Sequence, residues 1–159
     1  VANMMMNRRT LLSSVVSMAC MPLIPSSGHA AVEAMHVLKD PNCGCCSAWI
    51  DMLESAGFRV TTEPSMGTAL SRYKLENGIP MSMVSCHTGK IDGYMIEGHV
   101  PAADIRRLLI ERPEAVGLAV PGMPYGSPGM GSESEREAYE VHLIRRDGTT
   151  ATFSSYDAA

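Results

Sequence analysis

The chain has 159 residues, 45% hydrophobic and 19% charged, which suits one packed domain and excludes wholesale disorder. Its net charge is −4, no basic run exceeds two residues and only 5% of residues are aromatic, so it lacks the basic face and stacking groups of a nucleic-acid binder. Thirteen methionines and five cysteines are more than packing requires.

Residues 1–30 read as an export signal rather than part of the fold. Arg8-Arg9 precede Thr10-Leu11-Leu12 and an apolar stretch to Ile24, and Gly28-His29-Ala30 is a small-x-small cleavage site. The paired arginines also fit the twin-arginine export route. The apolar stretch is too short and interrupted for a membrane span. Ser17-Met18-Ala19-Cys20 lacks the leucine of a lipid-attachment motif. Cleavage removes two arginines and no acid, taking the net charge from −4 to −6, and leaves Cys43, Cys45, Cys46 and Cys86 in residues 31–159, read as a single periplasmic domain. Four exported thiols would ordinarily form two stapling disulfides, but three of these lie within four residues and staple nothing.

Ala34 to Lys39 reads as a buried strand, ended by the turn residues Asp40-Pro41-Asn42. Cys43-Gly44-Cys45-Cys46 opens a helix carrying Trp49, Ile50, Leu53 and Ala56 at helical spacing, with Gly57 as its stop. Phe58 to Thr62 is a second strand. Met66, Ala69, Leu70 and Tyr73 mark a second helix, closed by Asn77-Gly78. After Ile79-Pro80, Met81 to Thr88 and Tyr94 to Val100 form a hairpin around Gly89–Gly93. Pro101 starts a helix with Ile105, Leu108 and Leu109 that stops near Pro113. Gly117 to Gly131, with five Gly and three Pro, reads as one long functional loop. Tyr139 to Ile144 and Thr150 to Tyr156 form a final hairpin.

This order, βαβα then ββα with a CxxC at the first helix, predicts an α/β, thioredoxin-like fold with a long Gly/Pro loop and an added C-terminal hairpin. That fold implies a cis peptide bond at Pro80, facing the CxxC.

Cys43 and Cys46 at a helix N-terminus suit thiol–disulfide exchange, because the helix dipole and free N–H groups stabilise a thiolate. Cys45 is surplus to that chemistry. Together the three soft thiols select Cu(I), Zn(II) or an iron–sulfur cluster. In the thioredoxin topology Cys86 adds a fourth thiolate, and His87 an imidazole, although neighbours on a strand point to opposite faces. His99, between a strand and a helix, is a further ligand or proton carrier. Met123 and Met130 offer thioethers from the loop, against the ordinary role of methionine as a gap-filler.

With these residues in view, the sequence resembles the CopG-like periplasmic copper-resistance family. The resemblance rests on Lys39-Asp-Pro-Asn-Cys-Gly-Cys-Cys46, Gly78-Ile-Pro80, Ser85-Cys-His-Thr88, Gly93-Tyr-Met-Ile-Glu-Gly-His-Val-Pro101 and Gly117-Leu-Ala-Val-Pro-Gly-Met-Pro124. It spans roughly Met35 to Tyr156. It implies a thioredoxin-like fold, a polynuclear Cu(I)–thiolate site on Cys43, Cys45, Cys46 and Cys86, and a role in copper handling or Cu(I)/Cu(II) conversion. The implied partners are copper ions and periplasmic copper-handling proteins. Two other readings stand beside it. One is a metal-free thiol–disulfide oxidoreductase, with Cys43 and Cys46 as the catalytic pair. The other is a structural module binding zinc.

Overall fold

The computed structural model describes residues 34–159. The expected export signal, with its expected twin-arginine motif and cleavage site, and Cys20 lie outside the described residues.

The elements in chain order are β1 (Ala34–Lys39), α1 (Gly44–Ser55), β2 (Arg59–Pro64), α2 (Gly67–Glu76), β3 (His87–Ile91), β4 (Tyr94–Glu97), α3 (Ala102–Glu111), β5 (Ala115–Ala119), β6 (Tyr139–Arg145) and β7 (Thr150–Tyr156). Short 3₁₀ turns cover Met81–Met83 and Glu133–Glu135. The strands form one seven-stranded sheet in the order β2-β1-β3-β4-β5-β6-β7. The β1–β2 and β4–β5 pairs are parallel and the other four antiparallel. The protein is thus mixed α/β. Among the described residues no helix is long and apolar enough to cross a membrane.

Period-two alternation sends side chains to two cores. On β4, Tyr94 and Ile96 join the larger cluster and Met95 the smaller. The larger core also takes Trp49, Ile50 and Leu53 from α1, and Ile105 and Leu108 from α3. The smaller contains Ile79, Met95, Ala119 and Ile144, with Tyr73 of α2 packed against it. Helices therefore cover both faces, α1 and α3 packing on one core and α2 on the other. Trp49 anchors α1: its ring is fully buried and its indole N–H donates to the Val100 carbonyl at 2.9 Å.

Three expectations are corrected. The strand expected from Met81 begins only at His87, because Met83 N–H donates to the Pro80 carbonyl at 2.8 Å and winds this stretch into a 3₁₀ turn. No cis peptide bond occurs among the described residues, so Pro80 is trans, and it caps that turn with extended backbone. The loop expected from Gly117 starts later, because Ala115–Ala119 is a strand. Gly117 there serves close approach: a Cβ on it would lie 1.7 Å from the Met95 carbonyl oxygen.

α2 begins without a capping side chain. Met66 occupies its N-cap position and makes no side-chain cap hydrogen bond.

Candidate metal centre

The turn before α1 sets the first cysteine. Asn42 N–H donates to Asp40 Oδ1 at 2.8 Å and Cys43 N–H to the Asp40 carbonyl at 3.0 Å. Cys43 is thereby the N-cap of α1, and its sulfur accepts the Cys46 N–H at 3.3 Å. The helix thus aims its unpaired N–H groups at sulfur, where they favour negative charge. Cys43 and Cys46 are joined as a disulfide, while Cys45 and Cys86 are free thiols. Cys45 Sγ lies 3.5 Å from Cys43 Sγ. The sulfurs of Cys43, Cys45, Cys46 and Cys86 all fall within 4.8 Å of one another. Burial, with the nearby Cys45 thiol, pushes the Cys86 thiol up to about 11. A metal binding there has to displace its proton.

Cys86 also belongs to a second group with His87 and His99, again within 4.8 Å. Its sulfur lies 3.3 Å from His87 Nδ1 and 3.3 Å from His99 Nε2. The strand alternation that argued against His87 does not apply, because Cys86 precedes β3 and only His87 lies on it. His87 is fully buried, 4.3 Å from the Trp49 ring and edge-on to His99 at 5.0 Å. Burial lowers its pKa to about 3, helped by His99 and Lys74, so the ring is neutral. Burial also lowers that of His99. His99 Nδ1–H donates to the Pro128 carbonyl at 2.8 Å, which turns the Nε2 lone pair toward Cys86. His87 presents Nδ1 to Cys86, while its Nε2 is buried with no hydrogen-bond partner.

The Gly/Pro loop reaches this centre through Pro128 and Gly129. Met123 is 54% exposed. Met130 closes a turn through its backbone, its carbonyl accepting Gly126 N–H and its N–H donating to the Ser127 carbonyl. Gly129 has φ +83°, and a Cβ on it would meet Trp49 N at 2.6 Å and the Cys45 carbonyl at 2.9 Å. Gly129→Ala is therefore expected to cost at least about 2 kcal/mol, from strained backbone and overpacking. Urea unfolding reads this as a lower midpoint with unchanged slope. An unchanged midpoint would show that the loop does not pack on α1 in this way.

Beneath Cys86 lies a buried charge pair that sequence reasoning missed. Lys74 Nζ donates to Glu97 Oε1 at 2.5 Å and to Thr88 Oγ1 at 2.7 Å, with the two charged side chains 2% and 0% exposed. Thr88 Oγ1–H donates to Glu97 Oε2 at 2.6 Å, and Ser85 N–H to Glu97 Oε1 at 2.6 Å. Glu97 thus clamps both sides of the Cys86-His87 pair. The one signal was a lysine four residues after Leu70, on the buried face of α2.

Comparison with known proteins relates the chain to one family model and to solved structures. The model of a family described as a protein of unknown function, DUF411, matches residues 83–130, which include Cys86, His87, His99 and the loop. No curated protein matches. A solved structure titled copper resistance protein copG, form 1, is 49% identical with a TM-score of 0.74, covering 79% of this chain and 98% of that one. A second, titled form 2, is also 49% identical with a TM-score of 0.71, covering 78% of this chain and 98% of that one.

Proposed function

This chain belongs to the CopG copper-resistance family, and on that premise we propose that it is an exported protein that binds Cu(I) at a polynuclear thiolate site and converts copper between Cu(I) and Cu(II). The observation that carries the reading is the convergence of four sulfurs and two neutral imidazoles on Cys86, the member common to both groups. The donor set fits copper in both states. Thiolates are soft and can bridge Cu(I) ions, while imidazoles suit Cu(II). In the reduced protein Cys43, Cys45, Cys46 and Cys86 would hold Cu(I), with His87 and His99 as nitrogen donors; once Cys43 and Cys46 form their disulfide, Cys45, Cys86 and the imidazoles remain as donors. A thioredoxin-like reading of the fold is supported by the order β2-β1-β3-β4, with β3 antiparallel to both neighbours. Export before cleavage near Ala30, periplasmic location and exchange of copper with periplasmic copper-handling proteins belong to the same proposal.

Electrons balance between the dithiol and the metal. Oxidation of Cys43 and Cys46 to their disulfide releases two electrons and two protons, which reduce two Cu(II) to two Cu(I). The Cys43–Cys46 disulfide supports this couple. It also favours the second reading, a metal-free thiol–disulfide oxidoreductase using the same pair. Mixing the reduced apoprotein with Cu(II) without oxygen separates them. The expected result is loss of the Cu(II) paramagnetic signal with a matching loss of free thiols and Cu(I) that stays on the protein through desalting, whereas a metal-free oxidoreductase would lose its thiols but retain no copper. A persistent Cu(II) signal with every thiol free contradicts redox conversion.

A further inference from the structure

A cavity of about 370 Å³ opens beside the cysteines, and both Cys43 and Cys86 stand in its wall with Asp40, Asn42, Met66 and Leu70. Cys46 is fully buried and the loop covers the first turn of α1 at Gly129, whereas this cavity gives an opening from solvent to Cys43 and Cys86. Its wall holds one soft donor besides the cysteines, the thioether of Met66. Met66 is held by neither packing nor capping. It is a large apolar side chain left 52% exposed. It also sits at the N-cap of α2, where Ser, Thr, Asp or Asn would satisfy an open N–H, and it satisfies none. Gly67 follows at φ +57°, with nothing within 4 Å of where its Cβ would be. Neither core packing nor helix capping accounts for methionine here, and such departures gather at functional positions.

We infer that Met66 is a capture ligand for Cu(I) at the mouth of this cavity, taking the ion from solvent or a donor and handing it, in the reduced protein, to Cys43 and Cys86. The inference rests on the copper reading above. Capture and transfer are ligand exchange without redox change. The thioether–Cu(I) bond forms with no proton to lose, then breaks as a thiolate–Cu(I) bond forms and the thiol proton leaves to water. Asp40, in the same wall, presents a carboxylate to the incoming cation.

The test mixes reduced full-length protein with the Cu(I)–bicinchoninate complex and follows loss of the dye colour by stopped flow. Met66→Leu is expected to slow transfer about tenfold while the final copper content stays that of the parent. Met66→Ser should slow it equally although it supplies the missing cap, which separates a ligand role from a structural one. Met81→Leu removes a methionine that is 66% exposed and outside the cavity wall, and should transfer at the parent rate. If Met66→Leu loads as fast as the parent, the capture role is overturned and copper binding stands. If the parent takes no copper from the dye, the copper reading fails with it.

Discussion

Lys74→Met is expected to destabilise the protein by about 3–5 kcal/mol, the usual cost of leaving one member of a buried ion pair alone. Glu97 is fully buried, and Lys74 is its cationic partner at 2.5 Å. Burial already pushes the Glu97 carboxyl above the usual carboxylate range, against the pull of Lys74, Thr88 and the Ser85 N–H. Without the ammonium it rises further. A carboxyl whose folded pKa stands above its unfolded value binds its proton more tightly in the folded state. The variant should therefore be most stable at acid pH, and lose stability as pH rises through the folded pKa of Glu97. Lys74→Met combined with Glu97→Gln removes both charges and should recover much of the loss. Urea unfolding of the metal-free protein across pH measures all three. A single variant within about 1 kcal/mol of the parent at every pH would contradict a buried pair of this kind.

Cys86→Ser is expected to have the largest effect on copper. Cys86 belongs to both the four-sulfur group and the Cys-His-His group, so its loss breaks each at once. Cys45 belongs to the sulfur group alone. Cys86→Ser should lower bound copper by at least about half, because a hydroxyl is a poor ligand for Cu(I). Cys45→Ser should also lower it, yet keep the imidazole-bound fraction. Serine is nearly the size of cysteine and Cys86 is only partly buried, so the fold should survive and near-native circular dichroism provides the control. Copper contents equal to the parent in both variants would leave Cys43 and Cys46 as a simple dithiol.

Much of this centre was legible because its parts are close in sequence. Three cysteines in four residues, then Trp49, Ile50 and Leu53 at helical spacing, mark the N-terminus of α1 without any tertiary information. The final hairpin was legible from alternation around Asp147-Gly148. What escaped depends on contacts that cross the chain. β5 was hidden because Gly117 reads as a loop residue, and only the Met95 carbonyl beside it explains a glycine inside a strand. Lys74 reads as a solvated charge until Glu97 is brought beneath it by the β3–β4 hairpin. The loop's role was expected through Met123 and Met130, whereas its contacts to the centre run through the Pro128 carbonyl and the bare Cα of Gly129. Backbone groups carry no side-chain signature, so no residue pattern announces them.

The most direct test of the central claim is copper-to-protein stoichiometry, measured with copper-edge X-ray absorption on protein purified from copper-fed cells without oxygen. Four sulfurs within 4.8 Å of one another predict several copper ions per chain, held as Cu(I) with sulfur neighbours. A chain that holds no copper, or a single zinc ion in its place, would contradict it.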